Sequence, residues 1–186
     1  MNTLISLWLP ILLSAVVVFV ISSLVHMVIK WHAFDYKGFA NEEAVRTALG
    51  GNHVPGVKYV VPFCADMKDM AGEAMQKKKL EGPNAVVVFG PNTLPNMGKL
   101  LGLWFVWSLV VAAIAGYLAA QLVPHQQIYA MKAAKLTGAV TLLVHGFGSV
   151  QDSIWMYRSW RSTATYIADG VLYALGTAAV FYWFWK

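Results

Sequence analysis

The sequence predicts a membrane all-α fold: an antiparallel bundle of four transmembrane helices, with a small α+β insertion between the first and second. Three observations predict it. Hydrophobic residues make up 58% of the 186 and mean hydropathy is +0.55. Charged residues make up only 12%, about half the share usual in soluble domains. The apolar residues also fall into four long runs separated by polar stretches, so they match lipid-crossing segments rather than the core of a water-surrounded domain.

The first run covers 4–29. It exceeds the apolar core of a signal peptide, has no basic segment before it and no small-residue cleavage site after it, and is read as a retained helix. Pro10 is expected to kink it near one end, which membrane helices tolerate. The other three runs are 100–123, 134–156 and 162–185. Each holds roughly 20 residues or more, enough for about 30 Å of hydrocarbon at 1.5 Å per residue.

Four spans put both termini on one side. That side carries three basic residues, Lys132, Lys135 and Lys186, and the other carries eleven. Lys30, Lys99, Arg158 and Arg161 adjoin helix ends, where the positive-inside rule is strongest. The basic side, with residues 31–99, is therefore expected in the cytoplasm and the termini outside. Net charge is +5, which this topology explains without a nucleic-acid partner. Trp31, Trp104, Trp107, Trp155 and Trp160 fall at the expected inner interface. Trp8, Trp183 and Trp185 fall at the outer one, where the 182–185 aromatic run reads as an anchor.

Small residues at spacing four mark helix contacts: Ala112, Gly116 and Ala120; Ala134 and Gly138; Gly170, Ala174 and Ala178. The short 157–161 connection makes the last two spans neighbours.

The 31–99 segment reads as helix, strand, helix, strand. Asn41 caps the first helix, with Glu42 and Glu43 in its first turn and Gly50-Gly51 at its end. Residues 56–61 and 85–89 are strand candidates. Asp66 is expected to cap the second helix, which Lys77–Lys79 and Gly82 close. So small a segment buries little on its own and is expected to rest on the spans or on a partner.

Ionisable groups inside spans are the functional suspects, because burying them is costly. His145, Ser149 and Asp152 share one helical face by their spacing of four and three; Tyr166, Asp169 and Tyr173 share another. With His26 they form the candidate polar cluster. Asp152 and Asp169 lie at similar predicted depths, with Arg158 and Arg161 in reach as charge partners. A proton or cation site, or a shared-proton carboxylate pair, is one reading; a set of ion pairs that orients the bundle is the other. Nearly apolar outer halves of the first and last spans count against a single-chain pore. His26 and His145 differ in predicted depth by about 10 Å and do not suit haem, while His32, His53 and His125 read as unpaired loop residues. The expectation is no metal, no cofactor and no catalytic residue. Cys64 is the one cysteine and reads as a small buried residue; no zinc spacing, phosphate loop or repeat occurs.

Five stretches carry a family resemblance: 6–27 with its Ser-Leu-Trp-Leu-Pro start, Val-Pro-Phe-Cys-Ala-Asp at 61–66, Pro-Asn-Met-Gly at 95–98, 145–155 and 169–173. The chain resembles small bacterial four-helix inner-membrane proteins of no assigned function. The resemblance implies a fold and a bacterial inner membrane, and supplies no activity. The functional expectation is a non-enzymatic accessory or assembly subunit, with partner subunits or self-association in the bilayer. The alternative is a small oligomeric transporter or proton-coupled channel using the Asp/His cluster.

Overall fold

The computed structural model describes residues 5–186 and is mostly helical. Four helices are long and apolar enough to cross a membrane: Trp8–Ile29, Met97–Leu122, Gln127–Trp155 and Trp160–Phe184. The expected start of the first at residue 4 lies outside the described residues; the other boundaries shift by a few positions, most at the third, which begins at Gln127.

The first span is α1 (Trp8–Ser23) continued by a π-helical turn, Leu24–Ile29. Pro10 sits in the first turn of α1, where its missing N–H removes no helical bond. The span ends at Lys30, a left-handed residue with φ 54° whose N–H donates to the Val25 carbonyl at 2.8 Å. The chain then reverses into a 3-10 turn, Trp31–Asp35.

Beyond it lie α2 (Glu42–Ala48), β1 (Lys58–Val61), a 3-10 turn (Met67–Ala71), α3 (Glu73–Glu81) and β2 (Ala85–Val88). Asn41 caps α2 by accepting from the Ala44 N–H at 3.0 Å. The strands pair antiparallel, from Lys58 opposite Val88 to Val61 opposite Ala85, and His53 stacks on Phe89 beside them at 4.0 Å. The helix expected from Asp66 is split. Asp66 caps only the 3-10 turn, and extended Gly72 separates that turn from α3. None of α2, α3, β1 or β2 contains a buried residue. The segment touches the third span where Lys58 Nζ approaches Met156 Sδ at 3.8 Å.

The second span is α4 (Met97–Leu122), capped by Asn96, which accepts from the Lys99 N–H at 3.0 Å. The third is built from α5 (Ala130–His145), a 3-10 turn (Phe147–Ser149) and α6 (Val150–Trp155). The fourth is α7 (Trp160–Phe184), capped by Ser159. The contacts run α1–α4, α4–α5, α5–α7 and α1–α7, with α5–α7 the most extensive.

Glycine makes that closeness possible. A Cβ on Gly170 would lie 2.6 Å from the Gly146 Cα, and one on Gly138 would lie 3.2 Å from the Ala174 carbonyl. Gly116 leaves a notch that the Phe181 ring fills, at 3.0 Å from where a Cβ would stand. Only 28% to 39% of each span's apolar window is buried within the chain. Val16, Val20, Val106, Ile114 and Leu175 face outward, while Ser14, Ser108, Thr137, Thr141 and Thr177 line the interior. Small and hydroxylic inside with large aliphatic outside is the distribution lipid favours, since lipid tails solvate Val and Leu as well as a core does.

At one end Leu7, Ile11, Ala119, Val123, Ala130, Phe181 and Trp185 form an apolar core. Trp185 was expected at the interface. It is fully buried instead, its indole N–H donating to the Pro124 carbonyl at 2.9 Å. Trp8 and Trp183 do remain exposed.

Candidate functional site

The polar residues gather at the opposite end. The 3-10 turn after Lys30 folds Trp31 and His32 back against α7. His32, read from the sequence as an unpaired loop residue, is buried at 6% exposure. Its Nε2 lies 2.8 Å from Asp169 Oδ2, and its Nδ1 lies 3.2 Å from Asp35 Oδ2. The Trp31 indole donates to the other Asp169 oxygen at 2.9 Å. Asp169 is 2% exposed, so both carboxylate oxygens are satisfied out of water, as a buried acid requires.

His26 comes from the π turn of the first span. Its ring stacks on His32 with centroids 4.9 Å apart, and its Nδ1 lies 3.0 Å from the Ser22 carbonyl. Tyr166 packs against His32 with ring centroids 4.7 Å apart, and Arg158 lies over the Tyr166 ring at 4.7 Å. Ligand atoms of His26, His32 and Asp169 all lie within 4.8 Å of one another.

Next to this cluster, a cavity of about 520 Å³ opens between the first span, α4, α5 and α7. Ser22, His26, His145, Tyr166, Asp169 and Tyr173 supply its polar wall. The Trp104 indole donates to Ser22 Oγ at 2.9 Å along that wall. Met27, Met97, Leu101 and Trp107 form its mouth, and all four are exposed on the outer faces of the first two spans. His145 lies edge-on to Trp104 and Tyr173, and its buried Nε2 has no hydrogen-bond partner among the described residues.

The sequence-predicted set is thus divided. His26, His145, Tyr166, Asp169 and Tyr173 border one cavity. Ser149 and Asp152 do not join them. The helix breaks at Gly146, and the 3-10 turn that follows changes the phase, so the spacing of four and three no longer keeps one face. Ser149 Oγ bonds the Gly146 carbonyl at 2.9 Å. Asp152 pairs with Arg158 at 3.0 Å beside a different pocket. The expected Asp152–Asp169 carboxylate pair is absent among the described contacts: each acid has its own partners. Arg161 lies over the Phe34 ring at 4.2 Å rather than on a carboxylate. Ser153 and Thr163 join α6 to α7 by a hydrogen bond.

His32, Trp31, Asp35 and Ser22 were missed. Residues 31–35 read as the start of a solvated segment, and a lysine gives no signal for a left-handed reversal. The one available hint was the pairing of Trp31 and His32 immediately beyond a span carrying His26. Comparisons of the chain with protein-family models, curated proteins and solved structures find no match.

Proposed function

We propose that the protein is a multi-pass membrane protein that binds a small amphiphile drawn from the bilayer, as a transporter or carrier of that molecule. The cavity carries the reading. Its volume falls in the range of ligand sites, its polar groups converge at the inner wall, and its mouth consists of side chains on the lipid-facing sides of the first two spans. A molecule with an apolar tail at Met27, Met97 and Leu101 would place a polar head beside His145 Nε2, and would satisfy a buried nitrogen otherwise lacking a partner.

The first expectation, an accessory subunit, loses part of its support. The abundance of small-residue stripes counted towards it, and Gly116, Gly138 and Gly170 are all used within the chain; the smallness of the polar segment, whose helices and strands contain no buried residue, still counts towards it. In this proposal the four spans run antiparallel in a bacterial inner membrane. The eleven-lysine-and-arginine side and residues 31–99 are cytoplasmic, and the termini are outside. The apolar core that joins Leu7 to Trp185 supports a common side for the termini, and the family resemblance supports the membrane.

Native mass spectrometry of the chain released from lipid nanodiscs tests the reading. One amphiphile-sized adduct per chain is expected, and Val144→Trp, which fills the cavity, should remove it. Equal adducts on both proteins, or none on either, overturn it.

A further inference from the structure

We infer that His26, His32 and Asp169 form a binding site for a divalent first-row transition-metal ion beside the cavity. The inference goes beyond the amphiphile reading and does not depend on it.

The hydrogen bonds already fix how each imidazole is presented. The Ser22 carbonyl can only accept, so His26 Nδ1 donates to it at 3.0 Å and the lone pair of His26 lies on Nε2. Asp35 Oδ2 occupies the same role for His32 Nδ1 at 3.2 Å. A backbone carbonyl on one ring and a carboxylate on the other are the outer partners usual for metal-bound histidines, where they set the tautomer and the ring orientation.

His32 then has a carboxylate oxygen at each nitrogen, and a neutral imidazole carries one N–H. A positive species therefore belongs between His32 Nε2 and Asp169 Oδ2. A proton would need only those two atoms. Here a third donor, on His26, lies within 4.8 Å of both. Convergence of three donors suits an ion that takes three protein ligands and keeps a further position for water or substrate. In a tetrahedral zinc site the ligand atoms stand about 3.3 Å apart, so the widest pair of the trio has to close by as much as about 1.5 Å, and His32 Nε2 and Asp169 Oδ2, now 2.8 Å apart, have to open by about 0.5 Å. Imidazole with carboxylate suits Zn²⁺ or Fe²⁺, whereas Mg²⁺ and Ca²⁺ prefer oxygen alone.

Charge is consistent with this. Asp169 and Asp35 together offset a doubly charged ion. Of the nearby cations, Lys30 lines the adjoining 250 Å³ pocket together with His26 and His32, and Arg158 is held by Asp152 and the Tyr166 face. His26 is exposed on one side, which gives an ion a way in.

The test uses the full chain in detergent, purified through a tag free of histidine and stripped with chelator. Calorimetric titration with Zn²⁺ alone should show one ion per chain, and Mg²⁺ should show none. His26→Ala and Asp169→Asn should each weaken zinc binding at least tenfold, while His53→Ala should leave it unchanged. Asp169 also holds Trp31, so its variant can misfold; His26 is exposed, and His26→Ala carries the decision. X-ray absorption of the zinc-loaded chain should show imidazole nitrogen in the first shell. Absence of zinc binding, or equal binding by His26→Ala, overturns the metal site. Because the adduct measurement above is separate, loss of zinc binding with the adduct retained sinks the metal site alone, and the converse sinks the cavity reading alone.

Discussion

The two ends of the bundle solve different problems. At the end built on Phe181 and Trp185 the spans close on one another through an apolar core, and apart from the 3-10 turn at Gln127–Tyr129 their helices are regular. At the end built on Asp169 most of the irregular features lie together: the π turn at Leu24–Ile29, the left-handed Lys30 and Tyr157, and the 3-10 break at Phe147–Ser149. Each departure places a polar side chain that a straight helix would point elsewhere. Stability is concentrated where the helices are ideal, and chemistry where they are not.

If that division is right, the largest effect should come from forcing apart the helices that separate the two ends. Gly170→Val places atoms inside the Gly146 backbone. It should cost about 3 kcal/mol or more, seen as loss of folded protein by size-exclusion chromatography. Phe181→Ala should come next. It empties the Gly116 notch and should cost roughly 3 kcal/mol, read by thermal melting in detergent, while zinc binding and the lipid adduct survive. An unchanged melting temperature there would erase the distinction between the ends. Asp169→Ala strands the Trp31 indole donor and leaves His32 Nε2 without its partner, at about 1–3 kcal/mol; unlike Phe181→Ala it should also abolish ligand binding. Asp152→Asn disturbs only a half-exposed pair with Arg158 and should change the melt by less than about 0.5 kcal/mol. A large effect at Asp152 would restore the site's extension onto α6.

Legibility divides along the same line. The four spans were readable because hydrocarbon thickness imposes length and apolarity on each, and the Gly116, Gly138 and Gly170 contacts were readable because small residues are what close packing in lipid requires. Asn41 and its acidic first turn announced α2. At the site, Asp169, Tyr166, Tyr173, His26 and His145 were legible as polar groups in apolar runs. Their company was not. Helical spacing was extended through Gly146, where the helix stops, so Ser149 and Asp152 were assigned to a face they do not share. Trp185 was read as an anchor because indoles usually favour the interface, yet the Pro124 carbonyl gives its N–H a partner inside. His32 depends on a reversal at Lys30 that no residue preference encodes, and the Asp66 helix was overrun because Gly72 stops it.

The contact between His32 and Asp169 also sets the length of a tether. The 31–99 segment leaves the first span at Lys30 and rejoins the second at the Asn96 cap. While His32 stays moored, Trp31–Asp35 is held against α7 and the free chain starts only at Tyr36. Letting go would pay out five residues, roughly 17 Å of extended backbone. The reach of the polar segment is thus tied to the two hydrogen bonds that Trp31 and His32 make with the buried Asp169.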